Sequence, residues 1–103
     1  MKNKVIIITG ASSGIGKALA FALAKEGNKL VLAGRNKNKL NAVLQKINAV
    51  NISAISVITD VRKKEDCKNL IDKCITEFGR INVLINNAGI SMRALFNESD
   101  LEL

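Results

Sequence analysis

One short turn constrains the fold of this chain more than any other stretch. The turn is Thr9–Gly16, with the sequence TGASSGIG, and the β-branched run VIII at 5–8 precedes it. That run predicts a strand buried on both faces. After the turn, apolar residues recur at helical spacing, namely Ile15, Ala18, Leu19, Ala22 and Leu23. We therefore expect a helix that begins as the glycines end, with these residues as its apolar face.

A strand that turns through glycines into a helix is suited to binding phosphate. The helix N-terminus presents unpaired N–H groups and the positive end of the helix dipole. Glycines let the backbone bend and let a pyrophosphate approach without meeting a Cβ. The turn is therefore predicted to be the front of a nucleotide site. Its candidate residues are Gly10, Ser12, Ser13, Gly14, Ile15 and Gly16.

The glycine spacing narrows the class of nucleotide. A P-loop requires GxxxxGK followed by Ser or Thr, but Ala11 stands at the first glycine and Ala18 at the hydroxyl. The common dinucleotide pattern GxGxxG does not fit either, because the order here is Gly10-x-x-x-Gly14-x-Gly16. The simpler alternative is a glycine-rich loop that binds no ligand.

Composition and charge limit the other classes of function that the chain could have. The 103 residues suffice for one small domain, and 48% hydrophobic with 24% charged residues is ordinary for a globular protein. The net charge of +7 combines +8 in residues 1–51 with −1 in residues 52–103. The lysines are scattered and lack a set of aromatic residues that would stack bases, so nucleic-acid binding is not expected. No signal peptide, membrane span or metal site is predicted, and a cytoplasmic location is expected. Cys67 and Cys74, seven residues apart on a predicted helix, are expected to be core thiols.

Strand and helix alternate along the whole chain. Strands are predicted near 4–9, 29–33, 53–58 and 81–86. Helical stripes lie between them, at Leu40, Val43, Leu44 and Ile47 and at Cys67, Leu70, Ile71, Cys74, Ile75 and Phe78. This pattern predicts an α/β fold, the amino-terminal half of a Rossmann-like doubly wound parallel sheet with four strands and three helices. The expected strand order is 3-2-1-4, with a ligand crevice where strands one and four meet.

The turn after the second strand indicates which dinucleotide is bound. NAD sites place an Asp or Glu about twenty residues beyond the glycines, whereas residues 27–59 contain no acid. Arg35 and Asn36 follow the strand instead, and Arg35 offers a 2′-phosphate a forked, charge-assisted pair. The prediction is NADP(H) rather than NAD(H). The alternative is that Arg35 is only a surface arginine.

Two further strand ends carry candidate residues. Asp60 and Val61 end the third strand, and a carboxylate there can accept a hydrogen bond from an adenine amino group. The fourth strand ends in Asn86, Asn87, Ala88 and Gly89, whose small residues let a ribose lie against the backbone. Each stretch could also be a simple turn.

Together these motifs resemble the first part of a short-chain dehydrogenase/reductase, over almost the whole chain. The resemblance implies that the glycine turn binds pyrophosphate, that Asp60 and Val61 bracket adenine, and that Asn87, Ala88 and Gly89 lie along the ribose. Asn86 would mainly brace the sheet. It also implies a carbonyl or alcohol substrate and a homo-oligomeric full-length protein.

The family's catalytic Ser, Tyr and Lys have no counterparts here, and the sequence contains no tyrosine or histidine. No catalytic residue is therefore assigned. We expect residues 1–103 to be an NAD(P)-binding Rossmann domain truncated at its carboxyl end, part of an NADP-dependent oxidoreductase. The alternative is a complete, non-catalytic dinucleotide-binding or interaction module.

Overall fold

The computed structural model describes residues 1–50 and 53–88, and strands and helices alternate through both segments. The strands are β1 (Val5–Thr9), β2 (Lys29–Gly34), β3 (Ala54–Ile58) and β4 (Val83–Asn86). The helices are α1 (Gly14–Lys25), α2 (Lys37–Val50) and α3 (Lys64–Phe78). The strand positions predicted from the sequence are confirmed to within two residues at each end.

The four strands form one parallel sheet in the order β3-β2-β1-β4. The chain therefore steps outward from β1 to β3 and then crosses back to place β4 on the other side of β1. In the register of β1, Thr9 lies opposite Ala33 on one side and opposite Asn86 on the other. The predicted Rossmann-like topology is confirmed, and the direction of winding changes between β1 and β4.

The core consists of two apolar layers, one on each face of the sheet. Alternate residues of β1 enter them, because successive strand side chains point to opposite faces. Ile6 and Ile8 pack with α1 and α2, whereas Val5 and Ile7 pack with α3. All four side chains are fully buried. This two-sided burial explains why β1 is an unbroken β-branched run.

Helix α1 differs from the prediction in both its start and its buried face. It begins at Gly14, inside the glycine turn, and Ile15 is 72% exposed. Of the expected stripe only Leu23 is buried; Leu19 is half-buried, and Ala18 and Ala22 are also exposed. The residues that face the sheet are Gly16, Ala20, Leu23 and Ala24. In this alanine-rich helix two stripes have helical spacing, and the structure buries the one whose small residues allow a close approach to the sheet.

The other two helices bury the predicted faces. In α2, Leu40, Val43 and Ile47 are buried and Leu44 packs against them. In α3, the first four stripe residues, Cys67, Leu70, Ile71 and Cys74, are buried, and Ile75 and Phe78 pack against them. Both cysteines are free thiols, as predicted. Among the described residues, no helix is both long enough and apolar enough to cross a membrane.

Candidate functional site

An open cleft of about 650 Å³ lies at the carboxyl ends of the parallel strands. The glycine turn after β1 forms one wall, and the segments that follow β2 and β3 form the others. It is lined by Gly10, Ser12, Ala33, Gly34, Arg35, Asn36, Lys39, Thr59, Asp60, Val61, Arg62 and Ala88. Segments far apart in sequence meet here because all parallel strands end at the same edge of the sheet.

The start of α1 is open toward solvent. Ser13 is the N-cap residue in extended conformation, and its side chain forms no capping hydrogen bond in the described structure. The first N–H groups of a helix have no partner within the helix. Gly14 has a φ of +57°, and a Cβ built on it would meet no atom within 4 Å. The helix end therefore presents N–H groups to open space, as an anion site requires.

Gly16 has a different structural role from Gly14. A Cβ on Gly16 would overlap the carbonyl oxygen of Gly10 and would lie 2.6 Å from Nδ2 of Asn87. Gly10 itself has a φ of +63°, in the left-handed region that favours glycine. Gly10 and Gly16 thus allow the turn to pack against the segment after β4, whereas Gly14 leaves room for a ligand.

Three residues tie the glycine turn to the end of β4. The Thr9 hydroxyl donates to Oδ1 of Asn86 at 3.0 Å and accepts from the backbone N–H of Asn87 at 2.9 Å. The side-chain amide of Asn87 donates to the Gly10 carbonyl at 3.3 Å. The bracing expected of Asn86 is present, and Thr9 and Asn87 share it. Thr9 was not among the predicted site residues, although it sits at the head of the turn.

Arg35 and Asn36 form the wall of the cleft after β2. The Arg35 side chain is exposed and lines the cleft. Asn36 also lines it, but its Oδ1 accepts a hydrogen bond from the backbone N–H of Lys39 at 3.0 Å. Asn36 therefore caps α2, which fixes the start of that helix beside the cleft. Arg35, directly after β2, therefore brings a positive charge to this wall of the cleft.

Asp60 lies in the cleft within a fork of hydrogen bonds from Arg62. Oδ1 accepts from Nε of Arg62 at 3.0 Å and Oδ2 accepts from Nη2 at 2.9 Å. The side-chain and backbone hydrogen bonds from Arg62 hold the pKa of Asp60 well below its usual range, and the charge of Arg35 adds to this effect. The carboxylate is thus an acceptor only, and Oδ2 retains a lone pair for a second donor.

The remaining candidates lie at different depths. Ser12 lines the cleft, while Ser13 and Ile15 are exposed on the outer side of the turn. Val61 is 9% exposed and packs in the α3 layer, with its exposed edge in the cleft. Ala88 lines the cleft and its N–H reaches the Thr9 hydroxyl. Gly89 lies outside the described residues.

Lys39 and Arg62 also line the cleft but were not among the predicted site residues. Lys39 follows Arg35 by four residues, and Arg62 follows Asp60 by two, so both signals were present in the sequence. With Arg35 they make three cations against the single acid Asp60. The cleft is therefore suited to an anionic ligand.

Comparison with known proteins identifies the family. The family model described as short chain dehydrogenase matches residues 4–103. An uncharacterized oxidoreductase of Listeria monocytogenes is 53% identical over 90 residues, covering 87% of this chain and 36% of the relative.

Solved structures show the same relationship. A short-chain dehydrogenase/reductase from Burkholderia phymatum in complex with NAD superposes with a TM-score of 0.79 at 36% identity, over 81% of this chain and 30% of that one. An alcohol dehydrogenase from Thermococcus sibiricus, complexed with 5-hydroxy-NADP, superposes with a TM-score of 0.76 at 33% identity, over 81% and 36%. This chain thus spans between 30% and 36% of the length of these three proteins. It belongs to the short-chain dehydrogenase family of oxidoreductases.

Proposed function

We propose that residues 1–103 form the NADP(H)-binding part of an oxidoreductase that transfers hydride between NADP(H) and a carbonyl or alcohol substrate. The observation that carries the proposal is the cleft, which lies between the glycine turn that leads into α1 and a strand end occupied by Arg35 instead of an acid. The two related structures, one with NAD and one with 5-hydroxy-NADP, support a dinucleotide ligand.

Each wall of the cleft suits one part of such a cofactor. The N–H groups at the start of α1, with Ser12 and Ser13 beside them, would hold the pyrophosphate. Oδ2 of Asp60 would accept from the adenine amino group, with Val61 as an apolar contact. The segment of Asn87, Ala88 and Gly89 would lie along a ribose.

The choice of NADP(H) rests on charge. A carboxylate at the end of β2 would repel a 2′-phosphate, and no acid occurs anywhere in residues 27–59. Arg35 would bind the phosphate through a planar fork of N–H donors. The charge of Asp60 does not oppose this, since Arg62 is paired with it at 2.9 Å.

When bound, the nicotinamide cofactor supplies the hydride. The part of the protein described here contributes binding and orientation: it fixes the dinucleotide between the strand ends and α1. Residues 1–103 contain no tyrosine or histidine, the side chains that most readily move protons near neutral pH. We therefore assign no catalytic residue to this chain.

Exchange of the charge at residue 35 tests the cofactor preference. Titration of the Arg35→Asp variant with NADPH and NADH should show that the NADPH:NADH affinity ratio falls by about tenfold or more, as a carboxylate replaces a paired cation. The matched control is Lys68→Asp, the same charge reversal at an exposed position of α3. An unchanged ratio in Arg35→Asp would remove Arg35 from the site.

An activity assay tests whether residues 1–103 bind the cofactor without catalysing hydride transfer. Residues 1–103 alone should bind NADPH but oxidise it no faster than background with a panel of aldehydes and ketones. A protein extended to the length of the relatives should oxidise NADPH with at least one of them. Turnover by residues 1–103 alone would require a different catalytic group. Binding without turnover by either form would favour a binding module. A cytoplasmic location and a homo-oligomeric full-length protein stay predictions.

A further inference from the structure

The turn that follows β3 is held by the first turn of α3. This β3–α3 turn consists of Asp60, Val61 and Arg62, all of which line the cleft. Oδ2 of Asp66, in the first turn of α3, accepts a hydrogen bond from the backbone N–H of Asp60 at 2.9 Å. Asp66 does not line the cleft itself. Its carboxylate therefore acts on the cleft through the backbone of Asp60.

The backbone of Asp60 is restrained on both sides of its Cα. Its N–H donates to Asp66, and its carbonyl oxygen accepts from the backbone N–H of Lys63 at 2.9 Å. Oδ1 of Asp60 also accepts from the backbone N–H of Arg62 at 3.0 Å. The position of the Asp60 carboxylate in the cleft is therefore set by neighbours within the turn and by one side chain of α3.

The start of α3 makes Asp66 available for this contact. The N-cap residue Lys63 forms no side-chain capping hydrogen bond in the described structure. In a capping box the side chain at the third helical residue accepts from the N–H of the N-cap, but Asp66, at that place, reaches back to the end of β3 instead. Its half-buried carboxylate is stabilised there by the helix dipole. The next residue adds a second link, since Sγ of Cys67 donates to the Val61 carbonyl at 3.4 Å.

We propose that Asp66 is a positioning residue for the adenine end of the cofactor, because it fixes the backbone that carries the Asp60 carboxylate. The inference rests on the proposed binding of the dinucleotide, with its adenine amino group at Asp60. Without the Asp66 carboxylate, the N–H of Asp60 loses its acceptor and the β3–α3 turn gains freedom. The Asp60 carboxylate is then held less firmly, and recognition of the amino group weakens.

The test compares NADPH with its hypoxanthine analogue, in which a carbonyl oxygen replaces the adenine amino group. Two acceptors then face each other at Asp60, so the unchanged protein should bind the analogue about tenfold or more weakly than NADPH. Titrations give the NADPH:analogue affinity ratio for Asp66→Ala, for Asp66→Asn and for the control Glu65→Ala. Glu65 is an exposed acid in the same helical turn, so both alanine variants remove one negative charge from the start of α3. Circular dichroism and the urea midpoint establish that the variants fold.

Asp66→Ala should reduce the affinity ratio by about three- to tenfold, as expected for the loss of one hydrogen bond. Asp66→Asn keeps an oxygen that can accept from the Asp60 N–H, so it should retain most of the ratio. Glu65→Ala should leave the ratio unchanged. When Asp60 is already replaced by Asn, Asp66→Ala should have no further effect on the ratio, because Asp66 acts through the Asp60 carboxylate.

A folded Asp66→Ala variant with an unchanged ratio would overturn the proposal. An equal loss of affinity for both ligands would also overturn it, since that result indicates a general weakening of the fold. If the unchanged protein binds NADPH and the analogue equally, Asp60 does not recognise adenine and the role of Asp66 fails with it. If the unchanged protein binds no dinucleotide, the proposed function itself fails.

A measurement on the unchanged protein decides the matter if Asp66→Ala does not fold. Hydrogen exchange of the Asp60 amide, followed by NMR, should slow more when saturating NADPH is added than when the saturating analogue is added. The reason is that a hydrogen bond from adenine to the carboxylate further restrains the turn that Asp66 holds. Equal exchange rates with the two ligands would contradict the proposal.

Discussion

The hydroxyl of Thr9 accepts a hydrogen bond at 2.9 Å from the backbone N–H of Asn87, a residue 78 positions later in the chain. The same hydroxyl accepts from the N–H of Ala88 at 3.2 Å and donates to Oδ1 of Asn86 at 3.0 Å. One fully buried side chain therefore joins the end of β1 to the segment that follows β4. These hydrogen bonds fix the wall of the cleft at Ala88, between the end of β1 and the end of β4.

We expect Thr9→Val to destabilise the protein. Valine has nearly the same shape, but it leaves the N–H groups of Asn87 and Ala88 without their acceptor. An unsatisfied donor costs about 1–3 kcal/mol when it is buried, and because these two hydrogen bonds are part-buried we expect a loss of about 1 kcal/mol in the free energy of unfolding. Urea denaturation measures the loss. Thr76→Val, at an exposed site in α3, is the control and should leave the urea midpoint nearly unchanged. Equal midpoints for the two variants would contradict the role of the hydroxyl.

Gly14→Ala should weaken NADPH binding more than it weakens folding. A Cβ at residue 14 meets no protein atom within 4 Å, but Gly14 belongs to the turn that we propose binds the pyrophosphate. Gly27→Ala is a matched control, because Gly27 also has a positive φ and open space and does not line the cleft. Both variants should lose about 1 kcal/mol of stability from backbone strain. Titration should show that only Gly14→Ala binds NADPH more weakly; equal binding by the two would exclude Gly14 from the phosphate site.

Gly16→Ala should affect the fold itself. The new methyl group would overlap the Gly10 carbonyl and would lie 2.6 Å from Nδ2 of Asn87, so the turn or the helix must shift. Overpacking of this kind costs about 1–3 kcal/mol. The urea midpoint should therefore fall further in Gly16→Ala than in Gly14→Ala. The reverse order would show that α1 does not pack on the turn as described.

The Asp60–Arg62 pair predicts a loss of stability in acid. Hydrogen bonds from Arg62 lower the pKa of Asp60 in the folded protein. The pair thus contributes fully above the unfolded-state pKa of about 3.9, and its contribution is lost as the pH falls below that value. The urea midpoint of Asp60→Asn, measured from pH 7 to pH 2.5, should change less with pH than that of the unchanged protein. Asp72→Asn, at an exposed site, is the control. A steeper profile for Asp60→Asn would contradict this assignment.

Cys67 and Cys74 should react with a thiol reagent only when the protein opens. Burial raises the pKa of both thiols, that of Cys74 to about 11. The reactive thiolate is therefore scarce at pH 8, and the sulfurs are inaccessible. Reaction with Ellman's reagent should be slow in buffer and should release two equivalents rapidly in 8 M urea. Rapid release of either equivalent without denaturant would show that α3 does not bury that cysteine.

The order of the elements could be predicted because each rests on a local pattern. The β-branched run 5–8 has apolar side chains on both faces of its strand, so both faces must be buried. Helix α3 has its buried apolar residues along one stripe. The rotation of α1 could not be predicted in this way. Its sequence has two apolar stripes, and either could face the sheet. Which one does so depends on the close packing of Gly16 against Gly10, across the turn, and against Asn87, which is distant in the sequence.

The sequence by itself determined the fold class, the glycine turn between β1 and α1 and the absence of an acid after β2, because spacing and residue type specify these locally. Only the tertiary structure decided how the candidate polar groups are engaged. Asp60 is held by Arg62, Asn36 caps α2, and Asn87 braces the turn. The tertiary structure also brought three cations from the segments after β2 and β3 to one cleft. Hydrogen-bond partners and charge clusters depend on which strand ends and helices lie side by side, and that arrangement exists only once the sheet has formed.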